Sequence, residues 1–248
     1  MPPLRVHATA GHEAEAEALA RRLGVASGAG PARATLVVTD AGLVAGSGDP
    51  DGVREAAWLA AGGLRVTFAE ARRGAEPVVR AVRAAVTPEG RVVDATAGLG
   101  VDAGTLWRAG LRVTMIERDP ALAALLADGL RRLREADAPG HERLTLVEGD
   151  ARERLAALDG RPDVVYLDPM YPRARGGAKR RAAAWLRAWL AESGPDPDED
   201  ARELLRVARR VARRRVVVKR PLRGPQLAPG VSGALRGTTT RFDLYPPD

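Results

Sequence analysis

The sequence predicts an α/β fold: a mostly parallel sheet with helices on both faces, preceded by a small α/β appendage. Three observations predict it. From Glu76 onward short β-branched runs alternate with amphipathic stretches. The first of these runs ends in a glycine-rich turn. The runs also end, one after another, in charged residues. Strands that alternate with helices build a parallel sheet, and right-handed crossovers bring the strand C-termini to one edge. Ligands of such sheets bind at that edge, so the residues at the strand ends carry the functional reading.

Residues 1–75 form the appendage. Glu13–Arg22 is rich in Ala and Glu and predicts a helix; Thr35–Thr39 is a short β-branched strand; Leu64–Phe68 predicts another. Gly28–Pro31 and Ala45–Gly52 are turn-rich breakers. His7 and His12 have no partner cluster and read as surface residues.

Residues 76–248 form the second domain. Pro77–Val86 predicts an amphipathic helix with proline near its start. Arg91–Ala95 is a strand, followed by the glycine turn and a helix through Ala109. Val113–Glu117 is the second strand. Asp119 and Pro120 are an N-cap and first helical position for a helix to about Arg134. Leu144–Val147 and Val164–Leu167 are strands, with a short helix over Arg152–Leu158 between them. Helices over Lys179–Ala191 and Asp200–Arg213 lead to a strand at Arg215–Val218, and the tail predicts one more at Thr239–Tyr245. The strand-end residues are therefore Asp94, Glu117, Asp150, Asp168, and Lys219 with Arg220.

Composition narrows the setting. The 248 residues are 45% hydrophobic, enough for a buried core. No apolar run reaches the roughly 18–20 residues that span a bilayer. The start, Met1-Pro2-Pro3-Leu4-Arg5, lacks the pattern of a secretory signal. The absence of cysteine excludes disulfides and thiolate metal sites and fits a reducing, cytoplasmic compartment. The net charge is +7, and of 39 basic residues only Lys179 and Lys219 are lysine. A GC-rich genome explains arginine over lysine, but not where the charge sits. Residues 1–75 hold eight arginines and eight acids, so the whole excess lies in 76–248. A basic excess confined to one domain points to a polyanionic partner.

The first strand runs into Asp94-Ala95-Thr96-Ala97-Gly98-Leu99-Gly100. Gly98 and Gly100 allow a tight turn and close approach of a ligand, and the helix N-terminus beyond them favours an anionic group such as a carboxylate. Glu117, 23 positions after Asp94, can accept hydrogen bonds from ribose hydroxyls, and Asp150 can take an adenine amine. A nicotinamide dinucleotide and S-adenosylmethionine both suit this set. The dinucleotide fingerprint lacks its first glycine in register, and Asp94 and Asp102 would repel a pyrophosphate while attracting a sulfonium and an α-ammonium group.

The fourth strand ends in Asp168-Pro169-Met170-Tyr171-Pro172. This resembles the D/N-P-P-Y/F motif of methyltransferases acting on planar amines, with Met170 in place of the second proline. An aromatic amine is a poor nucleophile because its lone pair is delocalised. A carboxylate and a fixed carbonyl can hold its nitrogen in line as it becomes tetrahedral and positive. Pro169 fixes the backbone, and Tyr171 can stack on a base, worth about 1–3 kcal/mol. Next comes a run with five positive charges, Arg173, Arg175, Lys179, Arg180 and Arg181. With Lys219 and Arg220 at the same edge, these predict phosphate contacts.

Together, VVDATAGLGVDA (92–103), MIERDP (115–120), VVYLDPMYP (164–172), RVVVKRP (215–221) and RFDLY (241–245) resemble the RsmJ family of bacterial ribosomal RNA methyltransferases. The likeness covers roughly residues 76–245, and residues 1–75 match only loosely. It implies a Rossmann-like class I methyltransferase that uses S-adenosylmethionine on a guanine N2 of small-subunit (16S) ribosomal RNA. It further implies a monomer that needs no metal, and a cofactor pocket with Val101, Asp102, Glu117, Arg118, Asp150, Ala151 and Asp168. The D-P-x-Y logic alone leaves a DNA amine or a protein glutamine open as acceptor, and the glycine turn alone leaves a dinucleotide oxidoreductase open.

Overall fold

The computed structural model describes residues 4–28, 32, 34–46, 63–68, 76–169 and 197–248. The chain divides into two compact units, one built on Met1–Val66 and the other on Thr67–Tyr171 with Pro195–Asp248.

The described part of the first unit contains β1 (Leu4–Ala8), α1 (Glu13–Leu23), β2 (Ala26–Ser27), β3 (Ala34–Thr39) and β4 (Gly42–Gly46). Its sheet has the order β2-β1-β3-β4, parallel around β1 and antiparallel between β3 and β4. Helix α1 buries Ala16 and Ala20 and stops at Gly24, which adopts φ 65°. The strand expected at Leu64–Phe68 does not form: Leu64 makes a single bridge to Ala45. Phe68 is instead buried within the second unit, its ring against Gly100. Ala45 and Gly46, expected in a breaker, belong to β4. The glycines mislead there, because in this strand small residues are simply buried.

The second unit contains α2 (Pro77–Arg83), β5 (Arg91–Asp94), α3 (Val101–Arg108), β6 (Arg112–Glu117), α4 (Pro120–Glu135) and β7 (Leu144–Glu148). It continues through α5 (Ala151–Arg154), β8 (Val164–Leu167), α6 (Pro197–Val211), β9 (Arg215–Pro221), β10 (Gly233–Arg236) and β11 (Thr240–Tyr245). The seven strands are ordered β10-β11-β9-β8-β5-β6-β7. Strands β5 to β9 are mutually parallel; β11 runs antiparallel beside β9, and β10 pairs antiparallel with β11. This is the Rossmann-like class I methyltransferase sheet. The chain builds outward from β5 through β6 to β7 and returns to β8 on the other side of β5. The crevice beyond β5 and β8 is thus the switch point where such sheets bind ligands.

Side-chain alternation along the strands decides what faces that crevice. Val93, Val165, Leu167, Val216 and Val218 pack on one face against Ala151, Leu155, Ala201, Leu204, Leu205 and Ala208. The last four recur at helical spacing on α6, which explains that helix. The alternate residues meet the opposite face: Arg215 donates to the Ala81 carbonyl of α2, and Lys219 reaches Asp102 of α3. Asp119 caps α4 as expected, accepting from the amides of Ala121 and Leu122, with Pro120 at the first position.

Candidate active site

Glycine turn and Glu117. The turn after β5 uses its two glycines differently. Both have positive φ, 53° at Gly98 and 69° at Gly100. A Cβ at Gly98 would meet nothing nearer than the Thr96 carbonyl at 3.9 Å, so the backbone is open to a ligand there. A Cβ at Gly100 would lie 2.7 Å from Phe68 Cε1 and 2.8 Å from Leu126 Cδ2, so that glycine serves packing. Glu117, at the end of β6, is 7% exposed. Its Oε2 accepts the Gly98 amide at 2.7 Å and its Oε1 the Asp119 amide at 2.8 Å. Burial raises its carboxyl above the ordinary value, although both amides work against that. Each oxygen keeps a second acceptor site for an incoming hydroxyl. Val101, which opens α3, is 62% exposed, unusual for a large apolar side chain.

Carboxylate cluster. Asp94, Asp102 and Asp168 converge where β5, α3 and β8 meet. Lys219 Nζ from β9 donates to Asp102 Oδ2 at 2.6 Å and to Asp168 Oδ2 at 2.7 Å. The Tyr166 hydroxyl donates to the same Asp102 oxygen at 2.6 Å. The Asp168 amide donates to Thr96 Oγ1 at 2.6 Å, which ties the start of the D-P motif to the glycine turn. Burial and the neighbouring Asp102 push the Asp94 carboxyl well above its ordinary range. Burial, aided by Asp102 and Asp168, does the same to the Tyr166 phenol. Asp168 is raised to about 6, because loss of water and the nearby Asp102 outweigh Lys219. For Lys219 burial opposes the charge, but the two carboxylates outweigh it and hold the ammonium well above an ordinary lysine. Asp102 and Asp168 against one ammonium leave a site suited to a cationic ligand, with Asp94 held toward its neutral form beside them.

Tyr166 and Thr96 are site residues that sequence reasoning misses. Period-two alternation could have found Tyr166, which shares its face with Asp168 two positions on. Nothing local marks Thr96 as a partner of a residue 72 positions away.

Other expected residues stand differently. Strand β7 ends at Glu148, and Asp150 lies beyond it as the N-cap of α5, accepting from the Arg152 amide. Its carboxylate is ion-paired with Arg152, which holds it below the usual range. Ala151 is buried beneath it. Arg118 is directed at Asp200 of α6, 2.8 Å away, and Arg152 also reaches Asp200 and Glu203.

Two expected phosphate contacts, Lys219 and Arg220, face different partners. Lys219 is held between Asp102 and Asp168. Arg220, on the opposite face of β9, is 2% exposed and donates to the Pro225 carbonyl. Strand alternation sends these neighbours to opposite faces of the sheet, so their adjacency in sequence does not make them one basic patch. Tyr171 and the basic run Arg173, Arg175, Lys179, Arg180 and Arg181 lie outside the described residues, as does the expected helix over Lys179–Ala191. Among the described residues no group of three or more His, Cys, Asp or Glu is arranged to hold a metal ion. No described helix is long and apolar enough to cross a membrane.

Comparison with known proteins agrees with the sheet and its crevice. The family model described as SAM-dependent methyltransferase matches residues 60–247. The ribosomal RNA small subunit methyltransferase J of Thioalkalivibrio sulfidiphilus is 44% identical over 201 residues, 75% of this chain and 77% of that protein. The protein of the same name from Alkalilimnicola ehrlichii is 44% identical over 199 residues, 75% of each chain. A solved SAM-dependent methyltransferase from Neisseria gonorrhoeae superimposes with a TM-score of 0.69 at 29% identity, covering 98% of this chain and 96% of that one. Of the two ligands that the glycine turn admits, the family uses S-adenosylmethionine. With its class I sheet, its switch-point crevice and these relatives, the chain belongs to the ribosomal RNA small subunit methyltransferase J family of S-adenosylmethionine-dependent enzymes.

Proposed function

We propose that this enzyme transfers a methyl group from S-adenosylmethionine to the exocyclic N2 of a guanine in 16S ribosomal RNA, acting as a cytoplasmic monomer on the RNA or the small ribosomal subunit. The observation that carries the reading is the junction of two strand ends: the glycine turn after β5 is tied through Thr96 to the Asp168-Pro169 motif after β8. A donor site and an amine-acceptor site then share one wall. The relatives' name supports ribosomal RNA of the small subunit as substrate.

The residues fit the donor. The open backbone at Gly98 leaves room for it, and the carboxylates of Asp102 and Asp168 around a single ammonium suit its positive charge. When bound, the donor supplies a methyl carbon on sulfur; the amine lone pair forms the new N–C bond, the C–S electrons stay on sulfur, and a proton leaves the nitrogen to water. On our reading Glu117 receives the ribose hydroxyls, while Asp150 with Ala151, and Arg118, border the adenine. Val101 and Asp102 line the side of the donor at the start of α3. Asp168 and the Pro169 carbonyl orient the amine, and Tyr171 stacks on the base. A base within a helix cannot present its amine this way, so an unpaired or flipped guanine is required. Arg173, Arg175, Lys179, Arg180 and Arg181 hold the surrounding phosphates. Residues 76–248 act as the methyltransferase domain and 1–75 as a lead-in subdomain.

The test is mass spectrometry of nucleosides from small-subunit RNA of cells with and without the gene. One N2-methylguanosine is lost without the gene and restored by purified enzyme. An unchanged count, with a methyl missing from adenine, cytosine or a protein glutamine instead, overturns the substrate.

A further inference from the structure

This chain uses arginine almost everywhere, yet a lysine sits at the centre of the carboxylate cluster. A compact ammonium with three donors fits between two carboxylates, whereas a planar guanidinium presents a wide fork. Lys219 Nζ spends two donors there, at 2.6 Å to Asp102 and 2.7 Å to Asp168. The residues come from three separate parts of the fold: β9, the first turn of α3, and the end of β8. Lys219 is 24% exposed, and two of its three donors are already taken by carboxylates. Asp168 itself is 35% exposed, so an incoming group can reach it.

We infer that Lys219 is a positioning residue of the transfer step, fixing Asp168 against Asp102 and presenting it to the acceptor amine as a carboxylate. What Asp168 receives rests on the function proposed above; the clamp itself rests on geometry. Among the described residues, the titratable groups facing Asp168 are Asp102 from α3, Asp94 from β5, Tyr166 from β8 and Lys219 from β9. Asp102 is the charge that resists ionisation of Asp168, whereas Tyr166 stays a neutral phenol and burial holds Asp94 toward its neutral form. Lys219 alone favours it. A protonated Asp168 has lost an acceptor and cannot balance the charge that grows on the amine nitrogen, so transfer requires the ionised form.

Carboxyl carbon NMR of the ligand-free protein tests this, with the Asp168 signal assigned by its loss in Asp168→Asn. In the wild type Asp168 titrates near pH 6, and the Lys219 Nζ resonance moves with the same midpoint. In Lys219→Met the midpoint moves alkaline by about 1–3 pH units; Lys219→Arg stays nearer the wild type. An unmoved midpoint in Lys219→Met, or a wild-type Nζ signal blind to Asp168, overturns the inference; the latter measurement decides alone if the variant does not fold. Single-turnover methylation gives a second readout. The acid limb should follow the midpoint and the rate recover at high pH, whereas an equal loss at every pH means a merely structural lysine. If the wild type does not methylate small-subunit RNA, the substrate reading fails while the titration still judges Lys219.

Discussion

Replacing Glu117 by alanine should do two separable things. The carboxylate accepts two backbone amides, from Gly98 at 2.7 Å and from Asp119 at 2.8 Å, and so braces both the glycine turn and the approach to α4. Hydrogen bonds to charged groups contribute roughly 1.5–3 kcal/mol each, which bounds the loss at about 3–6 kcal/mol. Water entering the vacated volume would satisfy part of this, and the raised carboxyl pKa signals that burial already offsets some of the gain. A net loss of about 2–3 kcal/mol is therefore expected. For a protein of this size that lowers Tm by about 4–12 °C. Loss of the ribose acceptor should separately weaken S-adenosylmethionine binding by at least about tenfold. Scanning calorimetry with and without the donor, and titration calorimetry at a temperature where the variant is folded, read the two effects. An unchanged Tm contradicts the brace. A lowered Tm with unchanged affinity removes Glu117 from the donor site.

Asp168→Asn keeps the shape but removes the charge opposite the amine, and should cut turnover at saturating donor by about 10²-fold or more; near-normal turnover would sink the role. Gly100→Ala forces a Cβ against Phe68 and Leu126 at positive φ, and should destabilise by at least about 1–3 kcal/mol in urea unfolding, whereas Gly98→Ala, which meets open space, should cost mainly its backbone strain. If the two variants unfold alike, the packing role of Gly100 is wrong. Reversing Arg173, Arg175 and Arg180 to glutamate should weaken RNA binding and lower the log–log salt slope by somewhat under one for each phosphate no longer neutralised, with donor binding spared. A slope equal to wild type would make the run a solvated surface.

Much of the catalytic sheet was legible because its signals are local. The β-branched runs at Val113–Glu117 and Val164–Leu167 and the Asp119-Pro120 cap each follow from neighbours in sequence, and each is where expected, while the helix expected over Asp200–Arg213 forms as α6 over Pro197–Val211. What failed depended on distant partners. Leu64–Phe68 has the composition of a strand, but only Leu64 finds a partner, and burial of Phe68 against Gly100 takes the chain elsewhere. Strand β10 carries no strong pattern of its own and is held by its ladder to β11, whereas β1 alternates as Leu-Arg-Val-His-Ala but is too short to stand out.

The site divides along the same line. That Asp94, Glu117 and Asp168 share one edge follows from topology alone, since every parallel strand must end there. What each carboxylate does depends on the cation or donor nearest to it, and alternation along β9 decides that. A shift of one residue in β9 would bring Arg220 to the cluster and put Lys219 in the interior on the other face. The bulky guanidinium would then stand between Asp102 and Asp168, in a volume where an ammonium makes bonds of 2.6 and 2.7 Å. The order Lys-Arg, which in sequence suggests two phosphate contacts, is therefore a constraint on register: one cation sits between Asp102 and Asp168, and the other is bonded to the Pro225 carbonyl. Exchanging the two as Lys219→Arg with Arg220→Lys preserves composition and net charge, so any resulting loss of turnover would reflect placement and not charge.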